Sequence, residues 1–365
     1  MRTERILVIN NGSTSTKVAV YENEKEIARG DIEVTPEQVK DFKYAIDQLE
    51  FRTKIILNFL QDQGISTSGL TAVVARAGAL PALKSGAYRI NELMTDILER
   101  FPTMQHANNL SAIIAYKIAS SVGVPALVYD GDTMDEFEPE ARVLGIKGYQ
   151  RVPTCHALNM KSVARVVADQ LGRPYDSLNL IIVHLGGGIS LSAHRRGRII
   201  DDIFDDEGPM SPQRAGSIPA SMLVDICFSG KYSQVELHRM IRGKGGLVSL
   251  IGMQDAREIE KSISEGDKEA EAVYYAMAYQ VSKGIGELAA VLCGHVDRIV
   301  ITGGIAYSKM FINWIAERIS FIAPIEVIPG EREMEALALG ALRVLRGEEK
   351  AREYDVLPEN YTPRA

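Results

Sequence analysis

Two short stretches carry most of the groups that could do chemistry. Asn10 to Thr16 supplies two amides, one glycine and four hydroxyls between the apolar runs Ile6-Leu7-Val8-Ile9 and Val18-Ala19-Val20. Such a strand–turn–strand unit is a hairpin whose tip offers backbone N–H and hydroxyl donors, with Gly12 allowing close approach. That donor set suits a phosphate oxygen. His184-Leu185-Gly186-Gly187-Gly188, between Leu180–Val183 and Ser190–Arg195, has the same character. Arg76 ends an apolar strand, and Arg214 stands in the Pro/Gly-rich loop 208–216. Each arginine either pairs with a carboxylate structurally or, the reading favoured here, binds an anionic ligand, and together they could share the charge of a phosphoryl group in transfer. His156, just before a helix, is a further polar candidate. His106, His194, His238 and His295 have no such setting and read as structural. Glu331 and Glu333, at a helix start, could hold Mg2+ or complement the helix dipole.

These groups need a frame to hold them. Strands and helices alternate along the chain, which predicts an α/β fold with a mainly parallel sheet. The hairpin continues into a third strand at Lys25–Asp31. Thr35 caps a helix that opens at Pro36 and runs roughly to Gln63. Thr71–Ala75 and Ala126–Tyr129 read as strands, and Asn108–Val122 as a helix. The second half starts again: Asn10 and His184 lie 174 residues apart, and Gly12 and Gly186 share that offset. The strand at 298–301, before Thr302-Gly303-Gly304, parallels the strand before Arg76. We read an internal duplication of a β-meander-plus-helix domain, with both hairpin tips facing one cleft. The candidate groups Asn10, Arg76, Asp130, His184, Gly303-Gly304 and Pro329-Gly330-Glu331 all fall at strand ends, where open α/β sheets place ligands.

Composition narrows the function classes. At 365 residues two domains are expected. A net charge of −7 and a pI near 5.6 argue against nucleic acid or an anionic membrane as partner. Three scattered cysteines indicate neither a disulfide framework nor a zinc knuckle. No charged-then-apolar leader or long apolar run is present, so a cytoplasmic protein is expected. The tail from Arg346 onward is expected to be a solvated helix end and loose terminus. The apolar segment 225–228 and the Ala-rich stretch 274–290 could each be core or interface. No P-loop motif occurs, and Gly284-Ile285-Gly286-Glu287-Leu288-Ala289 matches a dinucleotide fingerprint in letters only, because helical sequence precedes it.

The motifs resemble the acetate and butyrate kinase family, within the actin-like, sugar-kinase and Hsp70 superfamily. VINNGSTSTK and VHLGGGIS look like its two phosphate signatures. CHALN (155–159), DDEGPMSPQRAGSIP (205–219) and PGEREMEALALGALRVL (329–345) are more similar to the butyrate branch. The resemblance covers essentially the whole chain. It implies duplicated actin-like (ribonuclease H-like) α/β domains, each with a mixed five-stranded sheet flanked by helices, and an ATP cleft between them. The domains would be 1–152 plus about 334–365, and 153–333. It implies reversible phosphoryl transfer from ATP to a short-chain carboxylate, butyrate or a branched acid such as isobutyrate, giving acyl phosphate and ADP, with Mg2+. Acetate or propionate kinase is the alternative within the family. An actin- or Hsp70-like ATPase switch, or a sugar kinase, is the alternative outside it. The implied catalytic residues are Arg76, Asp130, His156, His184 and Arg214. The nucleotide would be bound by Asn10, Gly12, Ser13, Lys17, Gly186, Gly187, Gly188, Gly303, Gly304 and Ile305. The metal would sit at Glu333, with Glu331 as the fallback. A homodimer or higher homo-oligomer is implied as well. Three departures stand out: Ala77-Gly78-Ala79 replaces a Gly-Gly pair, Asp130 is followed by Gly-Asp-Thr, leaving Asp132 as a substitute, and Arg332 stands where acetate kinases have an acid.

Overall fold

A computed structural model describes residues 3–363 apart from Asp132 and Glu359. The chain runs β1 (Arg5–Asn11), β2 (Ser15–Glu22), β3 (Lys25–Glu33), α1 (Pro36–Val39), α2 (Leu49–Asp62), β4 (Ala72–Ala75), β5 (Ala87–Arg89), α3 (Glu92–Arg100), α4 (Asn109–Val122) and β6 (Ala126–Tyr129). It continues with α5 (Ala157–Gln170), β7 (Asn179–Leu185), β8 (Ile189–Arg195), β9 (Arg198–Ile203), α6 (Ala220–Phe228), α7 (Gln234–Ile241), α8 (Gly246–Ile251) and α9 (Ala256–Ser264). The last elements are α10 (Lys268–Val291), β10 (Arg298–Gly303), α11 (Lys309–Ile319), β11 (Ile325–Pro329), α12 (Glu333–Leu345) and β12 (Arg352–Glu353). The elements group into two compact units: Met1–Asp135 with Arg332–Ala365, and Glu136–Glu331.

The first unit holds one sheet of order β12-β5-β6-β4-β1-β2-β3. β1, β2 and β3 form an antiparallel meander, and β4 and β6 extend it in parallel. Because strand side chains alternate, β1 buries two faces. Leu7 and Ile9 join the core formed with Leu110 and Ile114 of α4. Ile6 and Val8 face the other side, where α12 lies. There Gly340 lets α12 pack flat on the Tyr129 ring, since a Cβ would lie 2.6 Å from it.

The second unit repeats the plan with the order β11-β10-β7-β8-β9. Again three antiparallel strands lead into parallel neighbours. Ile181, Val183 and Leu185 pack with Tyr274 and Met277 of α10 and Phe311 of α11. Leu180, Ile182 and His184 alternate to the opposite face, against α5. The strand order β6-β4-β1-β2-β3 thus recurs as β11-β10-β7-β8-β9. In the first unit, short β5 and β12 extend the five-stranded core to seven strands.

Several expectations are revised. The helix from Pro36 ends at Val39 and resumes at Leu49, after a 3-10 turn at Ala45–Gln48. α1 buries no side chain, so its Thr35/Gln38 capping box, rather than core packing, holds it. The C-terminal tail is not a loose end: β12 pairs with β5, and Tyr354, 2% exposed, joins the first core. α10 buries its apolar stripe and is core, whereas α6, the more apolar of the two, buries no side chain within the chain. Among the described residues no helix is long and apolar enough to cross a membrane.

Candidate active site

In the first unit, the hairpin presents two faces. Asn10 lies opposite Lys17 on the α12 face, and Asn11 lies opposite Thr16 on the other. Asn10, 5% exposed, donates from Nδ2 to Glu333 Oε2 at 2.9 Å. Arg76 Nη1 donates to both oxygens of the same carboxylate at 3.2 Å. Glu333 stands at the first position of α12, where the helix dipole favours an acid. One carboxylate thus ties the first hairpin to the arginine at the end of β4. Asp130, at the end of the neighbouring β6, holds a left-handed φ of 39°, which Asp tolerates better than most residues. Its Oδ1 accepts from Ser85 Oγ at 2.6 Å and Gly86 N at 2.9 Å. Gly131 then abuts Ala77, with room for no Cβ (2.8 Å), so the Arg76 and Asp130 turns touch. Asp132 lies outside the described residues.

At the exposed tip, the carbonyls of Ser13, Thr14 and Ser15 accept from Arg52 Nη2, Val34 N and Gly12 N respectively. In trans peptides the N–H runs opposite the C=O, so the N–H groups of Thr14 and Ser15 face away from these donors. Ser13 Oγ lies 3.1 Å from His106 Nε2. His106 Nδ1 accepts from Asn108 N, which leaves the neutral ring's proton on Nε2, aimed at Ser13. His106 was read from sequence as structural. It enters because the loop before α4 returns to the hairpin, a contact no local spacing reveals.

In the second unit, the imidazoles of His156 and His184 stack with centroids 4.0 Å apart and planes 16° from parallel. Two full charges at that separation would repel, which disfavours protonating both rings. Asn159, in the first turn of α5, donates from Nδ2 to His184 Nδ1 at 2.9 Å. That puts the neutral ring's proton on His184 Nε2, beside Gly186. His156 Nδ1 lies 2.8 Å from Ser190 Oγ. The glycine turn is tied from behind as the first hairpin is: Gly187 O accepts from Ser211 Oγ and Gln213 N, and Gly188 O from Gly186 N. Arg214 runs beside Gly188, and its Nε is buried without a hydrogen-bond partner among the described residues. Its Nη1 is 3.6 Å from Asp205, a carboxylate 2% exposed whose pKa burial raises despite Arg242 and Arg214.

The same unit holds a pocket of about 600 Å³ lined by Gly186, Gly187, Gln213, Gly304, Ile305 and Glu331, among others. Gly303 joins its two turns. Its φ is 91°, a Cβ there would lie 2.3 Å from Leu185 O, and it exchanges backbone hydrogen bonds with Gly330. The predicted glycine turns therefore converge on one cavity. Sequence reasoning missed Glu260, whose Oε1 is buried at this pocket with no hydrogen-bond partner among the described residues. It sits in the second turn of α9, which Asp255 caps, so the helix start was the available signal.

The two proposed metal ligands fall in different units. Glu331 lines the pocket of the second, while Glu333 belongs to the first and is engaged by Arg76 and Asn10. Among the described residues no three His, Cys, Asp or Glu side chains gather as a metal cage. A cation that keeps water and phosphate ligands needs only one or two carboxylates, and of the two acids Glu331 is the one that lines the pocket.

Residues 140–322 match the model of the acetokinase family. The chain also superposes on an acetate kinase from Porphyromonas gingivalis with a TM-score of 0.78 at 19% identity, covering 94% of this chain and 100% of the other. A propionate kinase from Francisella tularensis subsp. tularensis SCHU S4 gives 0.72 at 18%, covering 92% and 98%. An acetate kinase from Entamoeba histolytica gives 0.71 at 17%, also covering 92% and 98%. The likeness shows the fold: two actin-like α/β domains whose mixed sheets are flanked by helices. The family match spans just over half of the chain and most of the second unit. The chain belongs to the acetokinase family of carboxylate kinases.

Proposed function

We propose that this chain transfers a phosphoryl group reversibly between ATP and butyrate or a branched relative such as isobutyrate, giving acyl phosphate and ADP. The observation that carries the reading is the pocket onto which Gly186, Gly187, Gly304 and Ile305 converge. Backbone turns of this kind take a nucleotide's phosphates and leave the adenosine against Ile305. The acceptor carboxylate is ionised at neutral pH and needs no strong base, so the residues serve mainly to orient and to neutralise. Arg76, pre-set by Glu333, orients the acceptor. His184, donating from Nε2, and Arg214, through its buried Nε, receive phosphoryl oxygens, and His156 supports His184 through the stacked rings. Asp130 fixes the turn beside Arg76. Mg2+ bound with the nucleotide would screen its phosphates, and Glu331 is the carboxylate that would hold it.

The butyrate branch is favoured by the CHALN, DDEGPMSPQRAGSIP and PGEREMEALALGALRVL stretches. Acyl phosphate formation from acetate, propionate, butyrate, isobutyrate and branched five-carbon acids tests it. Two additional buried methylenes are each worth about 0.8 kcal/mol, so kcat/KM for butyrate should exceed that for acetate roughly tenfold. An acetate or propionate optimum would move the chain to the other branch of the family. ATP hydrolysis indifferent to every acid would favour an ATPase switch instead.

A further inference from the structure

Arg52 is fully buried, yet no acid among the described residues offsets it. Its Nε donates to Gln48 Oε1 at 2.9 Å, and its Nη1 to Ser15 O and Thr16 Oγ1, both at 3.0 Å. Its Nη2 reaches Ser13 O at 3.4 Å. All of these partners are neutral, and burial alone pushes its pKa down. Buried cations are ordinarily paired, because an uncompensated charge in a dry interior is costly. The network continues outward: Thr16 Oγ1 donates to Asn11 Oδ1, and Asn11 N and Nδ2 donate to Ser111 Oγ. Arg52 on α2 and Ser111 on α4 thus clamp the first hairpin from the side opposite Asn10.

We propose that Arg52 is a positioning residue for a phosphate at this hairpin, and that the bound anion supplies its missing counter-charge. The guanidinium draws the Ser13 carbonyl toward α2, which turns the Thr14 N–H at the tip outward, and its bond to Ser15 O anchors the strand that follows. Its positive charge stands directly behind that donor, so the tip favours a polyanion before any ligand side chain moves. The inference rests on the proposed phosphate role of the hairpin and adds a residue that touches no ligand.

The test is calorimetric binding of tripolyphosphate, without carboxylate or turnover, to the full chain and to Arg52→Met, Arg52→Lys and Thr16→Val. Loss of a unit charge about 10 Å from an anion should weaken binding on the order of tenfold. Arg52→Lys should fall between wild type and Arg52→Met, and Thr16→Val, which spares the charge, should lose less than Arg52→Met. If Arg52→Met does not fold, Arg52→Lys and Thr16→Val still decide the matter: both keep the charge, so both should stay within a few-fold of wild type, and a tenfold loss in either overturns the charge role. Wild-type affinity in folded Arg52→Met overturns the role. Equal losses in Arg52→Lys and Arg52→Met overturn the charge contribution. A wild type that binds no tripolyphosphate overturns the phosphate reading of the hairpin itself, and the role of Arg52 with it.

Discussion

The two units build the same sheet and finish it with opposite chemistry. Asn10 and His184 occupy matching positions, each held from the first turn of the helix on the same face, Asn10 by Glu333 of α12 and His184 by Asn159 of α5. On the neighbouring strand the matching pair is Arg76 and Thr302, followed by Ala77 and Gly303. In the first unit the two strand ends meet through charged side chains. In the second they meet backbone to backbone, which only glycine permits. Side-chain charge recognises a small anion by orientation, while bare backbone accommodates a long ligand by close approach. The duplicated scaffold therefore leaves the functional difference to a handful of positions after each strand.

The strongest way to break this comparison is to remove the cation from the first unit. Arg76→Ala should lower kcat roughly 10²–10³-fold, by analogy with the loss of one preorganised electrostatic donor. Steady-state acyl phosphate synthesis measures it. The matching change, Thr302→Val, removes only a hydroxyl bonded to Gly330 O at 3.2 Å and should cost less than about tenfold. Comparable losses at the two positions would mean that the units are not specialised as described.

Much of this division could be read from residue types. The apolar runs around Asn10 and His184 have strand length and are bounded by turn residues, so the paired hairpins were legible. The polar groups at strand ends were legible for the same reason. What stayed hidden depends on contacts distant in the chain. Glu333 meets Arg76 across 257 residues and Asn10 across 323, and no spacing rule anticipates that an expected metal ligand is engaged by arginine. Tyr354 looked like part of a solvated tail, because its burial depends on β12 docking beside β5. Arg52 sits in a helix with ordinary charge patterning, and only the packing of α2 on β2 reveals it as buried.

Stability offers a second contrast. Gly303→Ala must relieve a 2.3 Å approach to Leu185 O while holding a φ of 91°. A loss of about 2–4 kcal/mol is expected, read as a lower urea midpoint with an unchanged slope. At the matching site in the first unit, Ala77→Gly should cost only about 1 kcal/mol, the entropy of a freed backbone plus one methyl. Equal costs would show that the backbone junction is no tighter than the side-chain one.

The last contrast concerns what each unit buries behind its turn. The first buries the cation Arg52, and the second buries Asp202, 2% exposed, whose Oδ2 accepts from Thr154 N two residues before His156. Burial raises the Asp202 pKa to about 8, against the pull of Arg151 and the Thr154 N–H. In the unfolded chain the same carboxyl titrates near ~3.9. Below that value both states hold the proton, and Asp202 adds no pH dependence. Between about 4 and 8 the folded chain keeps a proton that the unfolded chain has released, so this group's contribution to stability falls as pH rises. Above about 8 both states are ionised and the loss stops growing. Asp202→Asn keeps an acceptor for Thr154 N and removes the titration. Its stability relative to wild type should therefore climb between pH 5 and 8, by about 1 kcal/mol or more, and then level off. Thermal melts across that range decide the point: a difference that is flat with pH, or that shrinks as pH rises, would show that Asp202 is charged in the fold and that the second unit buries no protonated acid behind its histidines.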